Sequence, residues 1–115
     1  MLSFKESLKI LKETNALIEG HFILSSGLHS DKYVQCSKLL SKPDKSKEFF
    51  ISLSEKIKEN FQNFNLILSP AIGGIIIGYE IGRILNTETI FVERVNNNFQ
   101  IRRGFEINRN HKILV

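Results

Sequence analysis

The stretch LILSPAIGGIIIGYEIGRIL, residues 66–85, constrains the fold more than any other part of this sequence. LILSP is a short apolar run closed by Pro70, which reads as a strand that stops there. After the turn AIGG, the run IIIGYEIGRIL has helical length and is apolar on nearly every side, which predicts a buried helix. Gly78 and Gly82 would each weaken an exposed helix by about 1 kcal/mol relative to Ala, so close approach to another backbone is their expected compensation. A helix that starts at the carboxyl end of a strand points its free amides and the positive end of its macrodipole outward, and glycines let an anion come close. The spacing is neither G-x-G-x-x-G nor G-x-x-x-x-G-K-[ST]. On the residues alone, a phosphate-binding turn and an ordinary tight strand-to-helix turn both stand.

The flanks extend the pattern. Ser3 and Glu6 form a capping box ahead of an apolar stripe of Phe4, Leu8 and Leu11, predicting a helix from residue 4 to about 15. From Gly20, HFIL and KYVQC read as two strands joined by the polar turn SSGLHSD, a hairpin or β-rich hood. Pro43 and Asp44 punctuate the chain, and Phe50, Leu53, Ile57, Phe61 and Phe64 then mark the core face of a long helix. Asn86 ends the glycine-bearing helix, TIFVE is a strand, VNNNF a turn and FQIRR the returning strand of a hairpin. A polar loop then gives way to the apolar run KILV. Strand and helix alternate from residue 45 onward, which argues an α/β fold with a mostly parallel sheet flanked by helices. A length of 115 residues and 42% hydrophobic content suit one domain with one core.

Composition excludes more than it specifies. Sixteen Lys and Arg against twelve Asp and Glu give +4, a mild preference for anionic ligands. The basic residues are scattered without interleaved aromatics, so nucleic acid is not an expected partner. No apolar run approaches the roughly 20 residues of a membrane span. The charged N-terminus is no signal segment, and one cysteine, Cys36, cannot form an internal disulfide; a reducing, cytoplasmic setting is expected. Cys36 reads as a small half-buried hydrophobe. His21, His29 and His111 have no metal-site spacing and suggest surface or turn roles. Arg103 falls in phase with Phe99, Ile101, Phe105 and Ile107. It therefore either meets a phosphate or a partner subunit, or marks a break in register at Gly104 or an ion pair with Glu93 or Glu106. Arg102, on the opposite phase, reads as a solvated charge.

SPAIGGIIIGYEIGR resembles the pyrophosphate-binding loop and helix of orotate phosphoribosyltransferases, which have the type I phosphoribosyltransferase fold. GHFILSSGLHSDKY resembles the family's N-terminal segment, IFVER with QIRRGFEI its mobile catalytic loop, and KILV the strand that delivers its phosphoribosyl diphosphate signature. The resemblance covers the whole chain in order. It implies an incomplete phosphoribosyltransferase domain, with residues 1–42 as the orotate-side hood and 43–115 as the first half of the α/β core. By the same resemblance Pro70, Ala71, Ile72, Gly73 and Gly74 surround pyrophosphate, Ser25, Gly27 and Tyr33 lie on the orotate side, and Arg94 contacts phosphate, with Arg102 and Arg103 near the catalytic loop. Some members carry lysines where this chain has Ser25 and Gly73. The implied reaction moves the phosphoribosyl group of phosphoribosyl diphosphate to orotate, giving orotidine monophosphate and pyrophosphate for pyrimidine (UMP) synthesis, with Mg2+ as cofactor and a homodimer as the assembly. The family's acidic pair would follow Val115, so no catalytic residue is expected within the chain, and the 115 residues alone are expected to have little transferase activity. The alternatives are a purine phosphoribosyltransferase and a non-catalytic regulator of the same fold that senses phosphoribosyl diphosphate.

Overall fold

Asn65 sets the geometry of the larger of two units. Its side chain accepts from the Lys112 amide at 2.9 Å and donates to the Asn110 carbonyl at 3.2 Å, while its own amide donates to the Lys112 carbonyl at 2.9 Å. These bonds bring a segment more than forty residues away beside the strand that follows. In the computed structural model, which describes residues 1–115, the chain divides into Leu2–Phe49 and Phe50–Val115, the latter joined by Met1. The division falls within one helix, Pro43–Asn60.

The smaller unit holds α1 (Phe4–Glu13), β1 (Leu17–Ile23), β2 (His29–Val34), α2 (Cys36–Leu40) and the start of α3 (Pro43–Asn60). The capping box at Ser3 forms as expected, with the Glu6 carboxylate accepting from the Ser3 amide at 2.8 Å. Helix α1 is slightly shorter than its pattern suggests. Phe4 is 84% exposed rather than part of an apolar seam, and burial begins only at Thr14 and Ala16, where the chain leaves the helix. Strands β1 and β2 pair antiparallel with a one-residue irregularity: Glu19 faces Lys32 but Phe22 faces Ser30, so Gly20 and His21 together oppose Asp31. This is a β-bulge, and it changes which side chains share a face. The turn closes with Leu24 donating to Leu28 at 2.8 Å and Gly27 to Leu24 at 2.9 Å, and Gly27 takes φ +84, which glycine adopts without strain.

The larger unit carries β3 (Leu66–Pro70), α4 (Gly73–Leu85), β4 (Thr89–Val95), β5 (Asn98–Ile101) and β6 (Ile113–Leu114). The sheet order is β5-β4-β3-β6; β3 pairs parallel with β4 and β6, and β4 pairs antiparallel with β5. Central β3 is the best-buried strand, with Leu66 fully buried. The β4–β5 turn places Asn96 and Asn97 at φ 50 and 64, left-handed positions that Asn tolerates. No helix is long and apolar enough to cross a membrane.

Three core expectations need correction. In α3 Phe50 is buried as expected, but its neighbours in the buried row are Ser46 and Ser54, whereas Leu53 is 41% exposed; small residues, not the expected leucine, complete that side. The helix ends at Asn60, which leaves Phe61 outside it and 55% exposed. Helix α4 buries Gly78, Ile81 and Gly82, but Ile76 and Tyr79 stand on its exposed side, because a helix on one face of a sheet has only one face to bury.

The glycine expectation holds, with strand side chains as the main neighbours. A Cβ on Gly78 would overlap the Ser69 hydroxyl, and one on Gly82 would overlap the Thr89 hydroxyl and lie 2.9 Å from the Thr87 carbonyl oxygen. The helix then closes on left-handed Asn86, with Thr87 donating back to Gly82 at 2.9 Å. Gly82→Ala should therefore destabilise the fold by about 2 kcal/mol or more, despite alanine's better helix propensity, through overpacking against β4. Urea unfolding monitored by circular dichroism checks this; an unchanged midpoint would show that α4 can back away from the sheet.

Candidate functional site

The turn between β3 and α4 is built so that the helix's first amides face outward unassisted. Pro70 ends β3, and Ala71 stays fastened to the sheet by donating to the Val92 carbonyl at 2.7 Å. The Ala71–Ile72 peptide is cis. Ile72 is the N-cap, 87% exposed, and contributes no side-chain cap; the first turn contains no acidic residue. Neither a capping oxygen nor a carboxylate therefore satisfies the helix's leading N–H groups or neutralises its positive end.

The two glycines of this turn have different reasons to be glycine. A Cβ on Gly74 would sit 2.8 Å from Pro70 Cδ and 3.2 Å from Ser69 Cβ, so the fold itself requires its absence. A Cβ on Gly73 would meet nothing within 4 Å. Nothing in the chain forbids a side chain at Gly73, and what its absence provides is open access to the amides. That is the arrangement an oxyanion needs.

The basic residues divide between two sides of the sheet. Arg94 alternates with Glu93 on β4 and stacks over the Phe99 ring at 4.8 Å, rather than pairing with a carboxylate. Arg103 reaches Glu93 with two bonds, Nε donating to Oε2 at 3.1 Å and an Nη to Oε1 at 2.9 Å, and lies 5.8 Å from the Phe91 ring. Phe91 and Glu93 point to the face opposite Arg94, so the structure does not bring the two arginines together. The strand ends at Ile101, and Arg103 and Gly104 take φ 61 and 75 in a turn closed by Phe105 donating to Arg102 at 3.2 Å. The period-two phase of Arg103 thus breaks at the turn, and Arg103 pairs with Glu93, so two of the readings open in the sequence are realised together. Arg102 is exposed.

In the hairpin unit, Ser25 and Gly27 share the β1–β2 turn. Tyr33 sits opposite Ile18, four residues or roughly 13 Å along β2 from the turn's end, packed 5.7 Å from the Phe22 ring. Its hydroxyl donates to Gln35 at 3.1 Å, and Gln35 in turn donates to Ser37 at 2.7 Å. The hairpin groups the first two expected residues and keeps Tyr33 apart. Cys36 is exposed rather than half-buried. Sequence reasoning missed one juxtaposition, His21 with His29, because the bulge that creates it leaves no trace in their spacing; a glycine inside the strand was its only hint. A cleft of about 370 Å³ lies at the other end of α4, lined by Tyr79, Gly82, Arg83, Asn86, Thr87, Glu88 and Thr89. It adjoins the helix's negative end, and Arg83 there already holds Glu80 at 2.6 Å, so it does not suit a phosphate.

Comparison with known proteins fits this geometry. No family model matches the chain. Over 104 residues, 90% of its length, it is 47% identical to the orotate phosphoribosyltransferase of Helicobacter pylori strain G27 and covers 52% of that protein. The chain thus spans about half the length of the curated relatives it matches. Orotate phosphoribosyltransferase from Aeropyrum pernix superposes with a TM-score of 0.71 at 23% identity, over 80% of this chain and 54% of that one. Adenine phosphoribosyltransferase from Trypanosoma brucei, solved with AMP, pyrophosphate and ribose 5-phosphate, gives 0.55 at 16% identity, over 85% and 42%. The fold is therefore common to orotate and adenine enzymes.

Two substitutions separate the glycine roles. Gly74→Ala should lower stability by about 1–3 kcal/mol through its clash with the Pro70 ring, whereas Gly73→Ala should leave stability unchanged or raise it by up to about 1 kcal/mol through helix propensity. Equal losses in urea would contradict the assignment. The Arg103 guanidinium, by hydrogen bonding, holds the Glu93 carboxyl below its ordinary value. The stabilisation is thus present above the ordinary glutamate value of about 4.3 and fades as pH falls through the depressed folded value. Glu93→Gln should therefore differ from the parent at neutral pH and converge with it in acid; a constant difference down to pH 2 would exclude this linkage. Over nine-tenths of its length the chain is thus similar in sequence to orotate phosphoribosyltransferases, about half of whose length it spans, and it shares their fold.

Proposed function

We propose that this segment supplies the diphosphate-binding turn and the hairpin hood of an enzyme that transfers a phosphoribosyl group from phosphoribosyl diphosphate to orotate, yielding orotidine monophosphate and pyrophosphate. The observation that carries the reading is the uncapped N-terminus of α4 with open space at Gly73. The 47% identity to an orotate enzyme selects the base. As the bond from the anomeric carbon to the leaving oxygen breaks, negative charge grows on the diphosphate. Preorganised amides of Gly73 and Gly74, with the helix dipole behind them, stabilise that charge without reorganising. Arg94, free of a carboxylate, is the cation assigned to the phosphates.

Magnesium takes oxygen ligands, chiefly carboxylates, substrate phosphates and water. The turn 70–74 carries no carboxylate; Glu80, on the helix that follows it, and Glu93, next to the Val92 that pairs with Pro70, are engaged by Arg83 and Arg103. These residues do not fit a magnesium site, so the ion implied by the family resemblance is assigned no ligand and no step in this segment. A homodimer and a cytoplasmic setting belong to the same proposal. The exposed row Ile72, Ile76 and Tyr79 on α4, spaced four and three residues apart, supports association through that helix.

The test uses the whole protein that carries this segment, offered phosphoribosyl diphosphate with orotate, adenine or hypoxanthine. Orotidine monophosphate is the expected product. Turnover of a purine alone would defeat the choice of base, and tight phosphoribosyl diphosphate binding without turnover of any base would favour a regulator.

A further inference from the structure

The β1 bulge has a chemical consequence. Before it, residue pairs across the hairpin run Leu17 with Val34, Ile18 with Tyr33 and Glu19 with Lys32; after it they run Phe22 with Ser30 and Ile23 with His29. Were the first register to continue, His21 would oppose Ser30 and stand on the face opposite His29. The extra residue moves His21 onto the face of His29, one step diagonal from it. The rings meet: His21 Nε2 lies 2.7 Å from His29 Nδ1, with centroids 4.8 Å apart and planes tilted by 40°. Both residues are exposed, and neither ring has another polar partner that would hold it in place.

Two unanchored imidazoles with facing nitrogens have two uses. One is a shared hydrogen bond, one ring donating and the other accepting. The other is chelation. With metal–nitrogen bonds of about 2.0–2.1 Å, two ligands at right angles stand about 2.9 Å apart, and two at a tetrahedral angle about 3.3 Å. The observed 2.7 Å is closer to the right-angle value, which belongs to tetragonal or octahedral centres such as copper(II) and nickel(II). Small turns of two solvent-exposed rings bring both lone pairs onto one ion. No cluster of three or more His, Cys, Asp or Glu surrounds the pair, so water fills the remaining positions.

We propose that His21 and His29 form a bidentate site for a late first-row divalent cation, created by the β1 bulge. Occupancy ties β1 directly to the first residue of β2 and so fixes the turn that carries Ser25 and Gly27. The inference is independent of the transferase reading, since it uses only the hairpin.

The test is a nickel(II) titration of the 115-residue chain followed by NMR of the histidine ring and backbone signals. Expected are joint, saturable broadening of His21 and His29 with His111 unaffected, and affinity reduced at least about tenfold by either His21→Gln or His29→Gln. His111→Gln should leave affinity unchanged, and copper(II) should bind more tightly than nickel(II). Circular dichroism confirms that these surface variants fold. Binding that survives both single substitutions, binding that follows His111 or Cys36, or no saturable binding would each overturn the site.

Discussion

The close seat of α4 on the sheet is the constraint on which the rest of the larger unit depends. Gly78 lies against Ser69 and Gly82 against Thr89, positions where a single added carbon would overlap a strand side chain. A helix held this closely cannot slide, because the strand side chains interlock with the gaps its glycines leave. Its N-terminus is therefore fixed at the carboxyl ends of β3 and β4, where Ala71 is bonded to Val92. The position of these outward-facing amides follows from packing several residues away. Gly74 extends the same close contact to the first turn, against Pro70.

Much of this was legible in the sequence where local chemistry and tertiary structure agree. LILSP, the glycine-bearing helix, Asn86 as its end and the asparagine turn all appear as the residues suggest, because each rests on a local preference that nothing overrides. Legibility failed where a decision depended on a partner. The burial of α3 runs through Ser46 and Ser54, and no apolar count singles out serine. The all-round apolarity of α4 overstated its burial, since a one-sided sheet leaves Ile76 and Tyr79 outside. Arg103 looked in phase because a left-handed turn cannot be told from a continuing strand by alternation alone.

The candidate site was legible to the same degree. Residues 70–74 form the outward-facing turn that a strand-to-helix junction with glycines implies, and Gly73 separates from Gly74 only when the space around each is known. The arginines resisted sequence reading for a geometric reason: adjacent strand positions face opposite ways, so an arginine recruited by Glu93 cannot share a face with Arg94. The histidines were hidden by the bulge, which changes facing without changing spacing.

The central claim is that α4 presents its first amides to a diphosphate. The most direct measurement is a pyrophosphate titration of the isotope-labelled chain, read at the backbone amides. The account predicts saturable shifts largest at Gly73 and Gly74, whose N–H groups would meet the anion. Saturable shifts confined to lysine-rich surfaces such as α3, or no shift at the α4 N-terminus at saturating pyrophosphate, would contradict it.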